Sequence, residues 1–143
     1  LAAMRDRVAD GPLAGRVALP GFVSERETLL RALRDADMLL FCHITPESPR
    51  ILIEALAAGC PIVGFDSAYP ADLIAPHGGG VLTPLGDTAA LAGAVSDLAR
   101  DRARVSDLVG RAAREGAVYD DESVFAHRVA LIREHLPRAR PPA

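Results

Sequence analysis

The chain reads as an α/β protein built on a doubly wound parallel sheet. Three observations predict this. Short continuous apolar runs recur at residues 38–41, 61–65 and 81–83, too short for helices and unbroken by the polar alternation of a half-solvated strand. Segments of helical period, such as Leu29, Leu30 and Leu33, precede or separate them. Polar turns rich in Pro and Gly punctuate the alternation, and strand–helix alternation of this kind places helices on both faces of one sheet.

Taken in order, Leu1, Met4, Arg5 and Val8 set a helical pattern that Asp10-Gly11-Pro12 stops. Residues 17–19 form a first short strand, which with the three runs above makes about four. Residues 26–36 form a helix and 38–41 a buried strand. Ser48 suits a helix N-cap and Pro49 the first helical position, where a missing N–H does no harm. Gly59 ends that helix ahead of the 61–65 strand. Residues 71–75 are a short helix closed by Pro76-His77 and three glycines, and residues 81–83 are the last strand. From Asp87, a natural cap, the pattern becomes helical: Leu91, Val95 and Leu98, then Val105, Leu108 and Val109, then 123–136 with Val124, Phe125, Val129, Leu131 and Ile132. These extra carboxyl-terminal helices are expected to wrap the sheet. The reading is one domain over 1–136, and a disordered tail over 137–143 with three prolines and two arginines.

Composition bounds the function. With 143 residues, half of them apolar, the chain suffices for one core. All 16 basic residues are arginine and the formal net charge is −3, which gives no general pull toward nucleic acid. Cys42 and Cys60 belong to no zinc-spaced cluster; beside apolar strands, both read as buried reduced thiols. No metal site is expected. Gly78, Gly79 and Gly80 lack the following Gly-Lys-Ser/Thr of a P-loop. No run approaches the twenty or so apolar residues of a membrane span and no signal-peptide pattern appears, so a cytoplasmic location is expected.

The chemistry concentrates in residues 43–65. The proposed helix start leaves the N–H groups of Arg50 and Ile51 free at the positive end of a helix dipole, an anion site to which Arg50 can add a charged fork. Glu54 lies four residues on. It can pair with Arg50 along the helix, or, crowded by Ile51, Leu52, Ile53, Ala55 and Leu56, it can take partners from a ligand such as the two hydroxyls of a ribose. His43 ends a strand, either as a sugar or phosphate contact or as a structural residue. Asp66, Ser67 and Tyr69 follow the 61–65 strand at the edge where such sheets bind ligands; Asp66 can equally cap the next turn. Gly21 and Phe22 follow the first strand, with Phe22 either in the core or beside a ligand.

The ordered combination of Val17-Ala18-Leu19-Pro20-Gly21-Phe22-Val23, Ala36-Asp37-Met38-Leu39-Leu40-Phe41, Leu52-Ile53-Glu54-Ala55-Leu56-Ala57-Ala58-Gly59-Cys60-Pro61-Ile62-Val63, Gly80-Val81-Leu82 and Gly86-Asp87 resembles the carboxyl-terminal, Rossmann-like domain of retaining GT-B glycosyltransferases, the group related to sucrose and mannosyl transferases. The likeness covers about the first hundred residues. It implies a nucleotide diphosphate sugar as donor, transfer to an acceptor with retention, and no bound metal or cofactor. In that family two glutamates separated by seven residues bracket the helix start, the second on the donor ribose and the first on the donor sugar. Glu54 matches the second. Glu47, with six residues between the acids, stands one position from the first and is the catalytic candidate. Ser48, Arg50 and Ile51 occupy the diphosphate turn, His43 lies just upstream, and Gly21 and Phe22 fall in the loop near the base.

The resemblance further implies two strands and an acceptor-binding domain ahead of Leu1. The chain is then expected to be a fragment, with a gap in its sheet and exposed strand edges. The other class of reading is a non-catalytic flavodoxin-like regulatory or interaction domain. Of that class, receiver domains need a lysine that this sequence lacks.

Overall fold

The computed structural model describes residues 2–9 and 11–136. It is a three-stranded parallel sheet flanked by helices, in the order α1 (Ala2–Ala9), a 3-10 turn (Gly11–Leu13), α2 (Arg26–Asp35), β1 (Leu39–Phe41), α3 (Arg50–Ala57), β2 (Ile62–Phe65), α4 (Ala68–Ile74), β3 (Gly80–Thr83), α5 (Thr88–Arg100), α6 (Arg102–Gly116) and α7 (Asp121–His135). The strands lie in the order β1-β2-β3, with Leu39 opposite Ile62 and Ile62 opposite Gly80.

The sheet is doubly wound because the central strand is apolar on both faces. Ile62 packs with Phe41, Leu52, Leu56 and Leu73 on the α3–α4 side. Val63 and Phe65 pack with Leu91, Leu98, Val105 and Leu108 on the other. Helix α6 serves both clusters, giving Ala112 to the first and Val105 and Leu108 to the second. Helix α2 joins through Leu33, against Ala55 and Cys60.

Helix α3 is fixed most firmly at its carboxyl end. Gly59 adopts φ +75°, a conformation that glycine enters without a Cβ penalty. The Cys60 N–H then donates to the Ala55 carbonyl at 2.8 Å and the Gly59 N–H to the Leu56 carbonyl at 2.9 Å. This is the paired hydrogen-bond pattern of a Schellman stop. At the same place α6 meets α3 at backbone range: a Cβ on Gly116 would lie 2.1 Å from the Leu56 carbonyl oxygen.

Several expectations need correction. Residues 17–19 form no strand, so the sheet has three strands and not about four. No described strand lies alongside to take the backbone hydrogen bonds of 17–19, and Val17 stays exposed. The cap of α3 is Pro49, with Arg50 the first helical residue and no side-chain cap bond, so Ser48 is not the N-cap. Helix α4 starts three residues earlier than predicted, since Pro70 falls in its first turn, where the ring is tolerated.

At the carboxyl side, Asp87 caps α5 as expected, accepting from the Ala90 N–H at 2.9 Å. Helices α5 and α6 break at Asp101, whose carboxylate accepts from the Arg104 N–H at 2.9 Å. Helix α7 does not wrap the sheet. Its apolar residues split between a flank with Val124 and Leu131 and another with Phe125, Val129 and Ile132, and of these only Val124 is half-buried. Cys60 is buried, but Cys42 is exposed in the turn beyond β1. The tail predicted over 137–143 lies outside the described residues.

One long-range ion pair ties the two halves of the chain, Arg102 to Asp37 at 2.7 Å. The Arg102 hydrogen bond holds the Asp37 carboxyl below its ordinary range. A lowered folded pKa contributes stability above the unfolded value, and this contribution is lost as pH falls below about 4.

Two outcomes are expected. Leu52→Ala, at a site with no exposure, lowers the unfolding free energy by about 2–5 kcal/mol. Gly116→Ala is also destabilising, whereas Leu40→Ala, at an exposed site, costs under about 1 kcal/mol; urea titration of the three variants checks the order. Burial, followed by the Asp37 carboxylate, pushes the Cys60 thiol up to about 11. A disulfide reagent at pH 8 is therefore expected to modify Cys42 at once and Cys60 only in denaturant, as read by absorbance.

Candidate functional site

The carboxyl ends of the three parallel strands define an upper rim at Phe41, Phe65 and Thr83. Ligands in open α/β sheets bind outside such an edge. The turn 42–48 leaves β1 fully exposed. A hydrogen bond within it runs from the Glu47 N–H to the Thr45 carbonyl at 2.9 Å.

His43 and Glu47 meet across this turn, Nδ1 to Oε2 at 3.3 Å. The imidazole also stacks on Phe41, with ring centroids 4.8 Å apart. The strand end thus orients the ring and the ring orients the acid. Glu47 and Ser48 border a cleft of about 190 Å³ whose far wall is Ser67, Ala68 and Tyr69 at the start of α4. Residues following two adjacent strands, β1 and β2, therefore face one another at the rim. Asp66 is exposed; its N–H donates to the Thr83 carbonyl at 2.7 Å. The cap of α4 is Ser67, so Asp66 has no capping role.

Helix α3 carries the other candidates. Its first intrahelical bond runs from the Leu52 N–H to the Pro49 carbonyl at 3.2 Å, which leaves the N–H groups of Arg50 and Ile51 ahead of the ladder. The inward face buries Leu52, Ala55 and Leu56 completely. The flank turned away from the sheet presents Arg50, Ile53 and Glu54 to a cavity of about 340 Å³, closed by Arg26 from α2, Tyr119, and Phe125 and Arg128 from α7. Glu54 and Ile53 also border an adjoining space of about 410 Å³ that runs down the α2–α3 groove past Leu30 and Arg34. Glu54 is half-buried, and its carboxylate makes no hydrogen bond or ion pair among the described residues. The Arg50 pairing that its spacing permits is not formed.

The structure thus brings Arg50 and Glu54 into one cavity and Glu47 and Ser48 into another. Gly21, with φ +82°, and Phe22, 94% exposed, lie in the coil 14–25 and border neither. Phe22 is not in the core. Sequence reasoning missed Arg26, Tyr119, Phe125 and Arg128. They come from three separate elements, and only the fold brings them to α3.

A helix start at the upper rim, with two amides ahead of its ladder, a cation beside them and an acid one turn on that is unpaired among the described residues, is an arrangement that can take an anionic ligand. Residues 2–101 match the family model of the glycosyl transferases group 1, and the chain belongs to that family. One relative is the amylovoran biosynthesis glycosyltransferase AmsK of Erwinia amylovora, 30% identical over 141 residues, an alignment covering 94% of this chain and 34% of that protein. The chain therefore spans about a third of the length of the relative it matches. No helix among the described residues is long and apolar enough to cross a membrane.

The His43–Glu47 pair is half in solvent on both sides, so water screens it. Glu47→Gln is expected to change the unfolding free energy by less than about 1 kcal/mol in urea titration. A loss well above that would make Glu47 a structural residue.

Proposed function

We propose that this chain is the donor-binding part of a transferase that moves a sugar from a nucleotide diphosphate to an acceptor with retention, acting in the cytoplasm in a GT-B arrangement. The observation that carries this reading is Glu54: a half-buried carboxylate without a partner among the described residues, facing a cavity beside cations. A half-desolvated acid of this kind is stabilised by donors that a ligand brings, and the adjacent hydroxyls of a ribose supply two in a fixed geometry.

In this reading the diphosphate lies at the start of α3. The Arg50 and Ile51 amides, the Arg50 guanidinium and the Ser48 hydroxyl meet the charge that grows on the leaving group, the preorganised stabilisation that lowers such barriers. Glu47, held by His43, faces the sugar from the neighbouring cleft. The residues between the two acids fall in the exposed turn and in the first turn of α3, which already carries the buried Leu52. Asp66, and Gly21 with Phe22 in the coil 14–25, offer contacts to the sugar and the base. The acceptor and its binding domain belong to the remainder of a longer enzyme, and the chain by itself is expected to bind donor without turnover.

A second reading, a domain kept for binding without transfer, draws on the placement of Glu47 and Glu54 in different cavities. Calorimetry with UDP-, GDP- and ADP-sugars tests the first. Saturable binding is expected to one base class, with Glu54→Ala weakening it by about 1–3 kcal/mol. Unchanged affinity in that variant removes Glu54 from the site, and no binding across the panel removes donor recognition from this chain.

A further inference from the structure

Arg26, Arg50 and Arg128 line one cavity with a single acid, Glu54. None of the three guanidiniums makes an ion pair or side-chain hydrogen bond among the described residues, although Arg34, Arg100, Arg102 and Arg111 all do. The local excess is two positive charges, in a chain whose formal net charge is −3.

Stability does not account for this placement. Arg26 is the first residue of α2 and Arg50 the first of α3, where the helix dipole disfavours a cation. Neither helix has a side-chain cap bond to blunt its positive end. Glu27, close to Arg26 in the chain, turns instead to Arg34 at 3.5 Å, and neither it nor Glu25 borders the cavity. Three solvent-exposed guanidiniums around one space, two of them on the first residues of helices, form an arrangement that favours a polyanion. The planar donor forks of arginine match phosphate oxygens two at a time.

We infer that Arg26 and Arg128 are additional diphosphate-binding residues, clamping with Arg50 the pyrophosphate group of a nucleoside diphosphate whose pentose is held by Glu54. The inference deepens the proposed function and rests on it for the pentose, but not for the anion. Arg128 lies beyond residues 2–101, the span matched by the family model, so α7 adds to the site a cation that this span does not contain. Phe125, 61% exposed at the cavity wall, supplies an apolar surface beside it.

The test is calorimetric titration of the whole chain and of Arg26→Gln, Arg128→Gln and Glu54→Gln with inorganic pyrophosphate and with UDP, GDP and ADP. Circular dichroism checks that each variant is folded. Each arginine variant is expected to weaken pyrophosphate and the preferred nucleoside diphosphate alike, about tenfold. Glu54→Gln is expected to weaken the nucleotide while strengthening pyrophosphate, because it removes a like charge. If pyrophosphate and nucleotide affinities survive both arginine substitutions in folded protein, the clamp is overturned and the donor-binding reading stands. If pyrophosphate binding depends on the arginines but no nucleotide binds better, the clamp is supported and the pentose reading fails. If the unaltered chain binds neither, both are overturned.

Discussion

Everything at the candidate site depends on how helix α3 is held at its far end. Leu52 and Leu56 are sealed against the sheet and α6, and Ala55 against Leu33 of α2 and Cys60; the Schellman bonds stop the helix at Gly59, and Gly116 lets α6 close onto the Leu56 carbonyl. A helix clamped at its carboxyl end has no freedom to rotate about its axis. Rotation by one residue, about 100° on helical geometry, would carry Glu54 toward the core and bring an apolar side chain out to the cavity. The position of the acid is thus set by hydrophobic packing on the opposite face, with no polar contact of its own among the described residues.

The buried residues of α3 and those that line the cavity lie on different flanks of the helix. Apolar contacts and the capping carboxylates Asp87, Asp101 and Asp120 belong to the sheet side and to α5, α6 and α7. Helices α2 and α3, which converge on the cavity, begin with arginine and have no side-chain caps. Of the helices that line the cavity, α2 and α3 start without a side-chain cap bond and α7 starts with one, from Asp120.

Much of the fold was legible because its signals are local. Continuous apolar runs marked β1, β2 and β3 to within one residue, Asp87 announced the start of α5, and Gly59 announced the end of α3. The 17–19 segment has the same apolar character as those strands, yet strand formation is a property of a pair, and no described strand lies beside it. Ser48 has the chemistry of a cap but stands one residue too early, since Pro49 already has the extended geometry of the capping position. At the site, Glu54 and Arg50 could be read from their spacing along one helix. Arg26, Tyr119, Phe125 and Arg128 could not, because nothing in a linear pattern tells which distant residues the winding of α2 and α7 will bring to α3. Phe22 misled for a related reason: an aromatic residue in a loop carries no sign of whether anything will cover it.

Asp101 ends α5 and caps α6 with no residue to spare between the two helices. That elbow cannot gain or lose a residue without turning α6 by a quarter or more about its axis, which would take Ala112 and Gly116 off α3. The turn 42–48, exposed throughout, carries no such constraint. A residue gained or lost just ahead of α3 would thus be absorbed in exposed chain, whereas one at the elbow would be carried into the packing of α6 on α3.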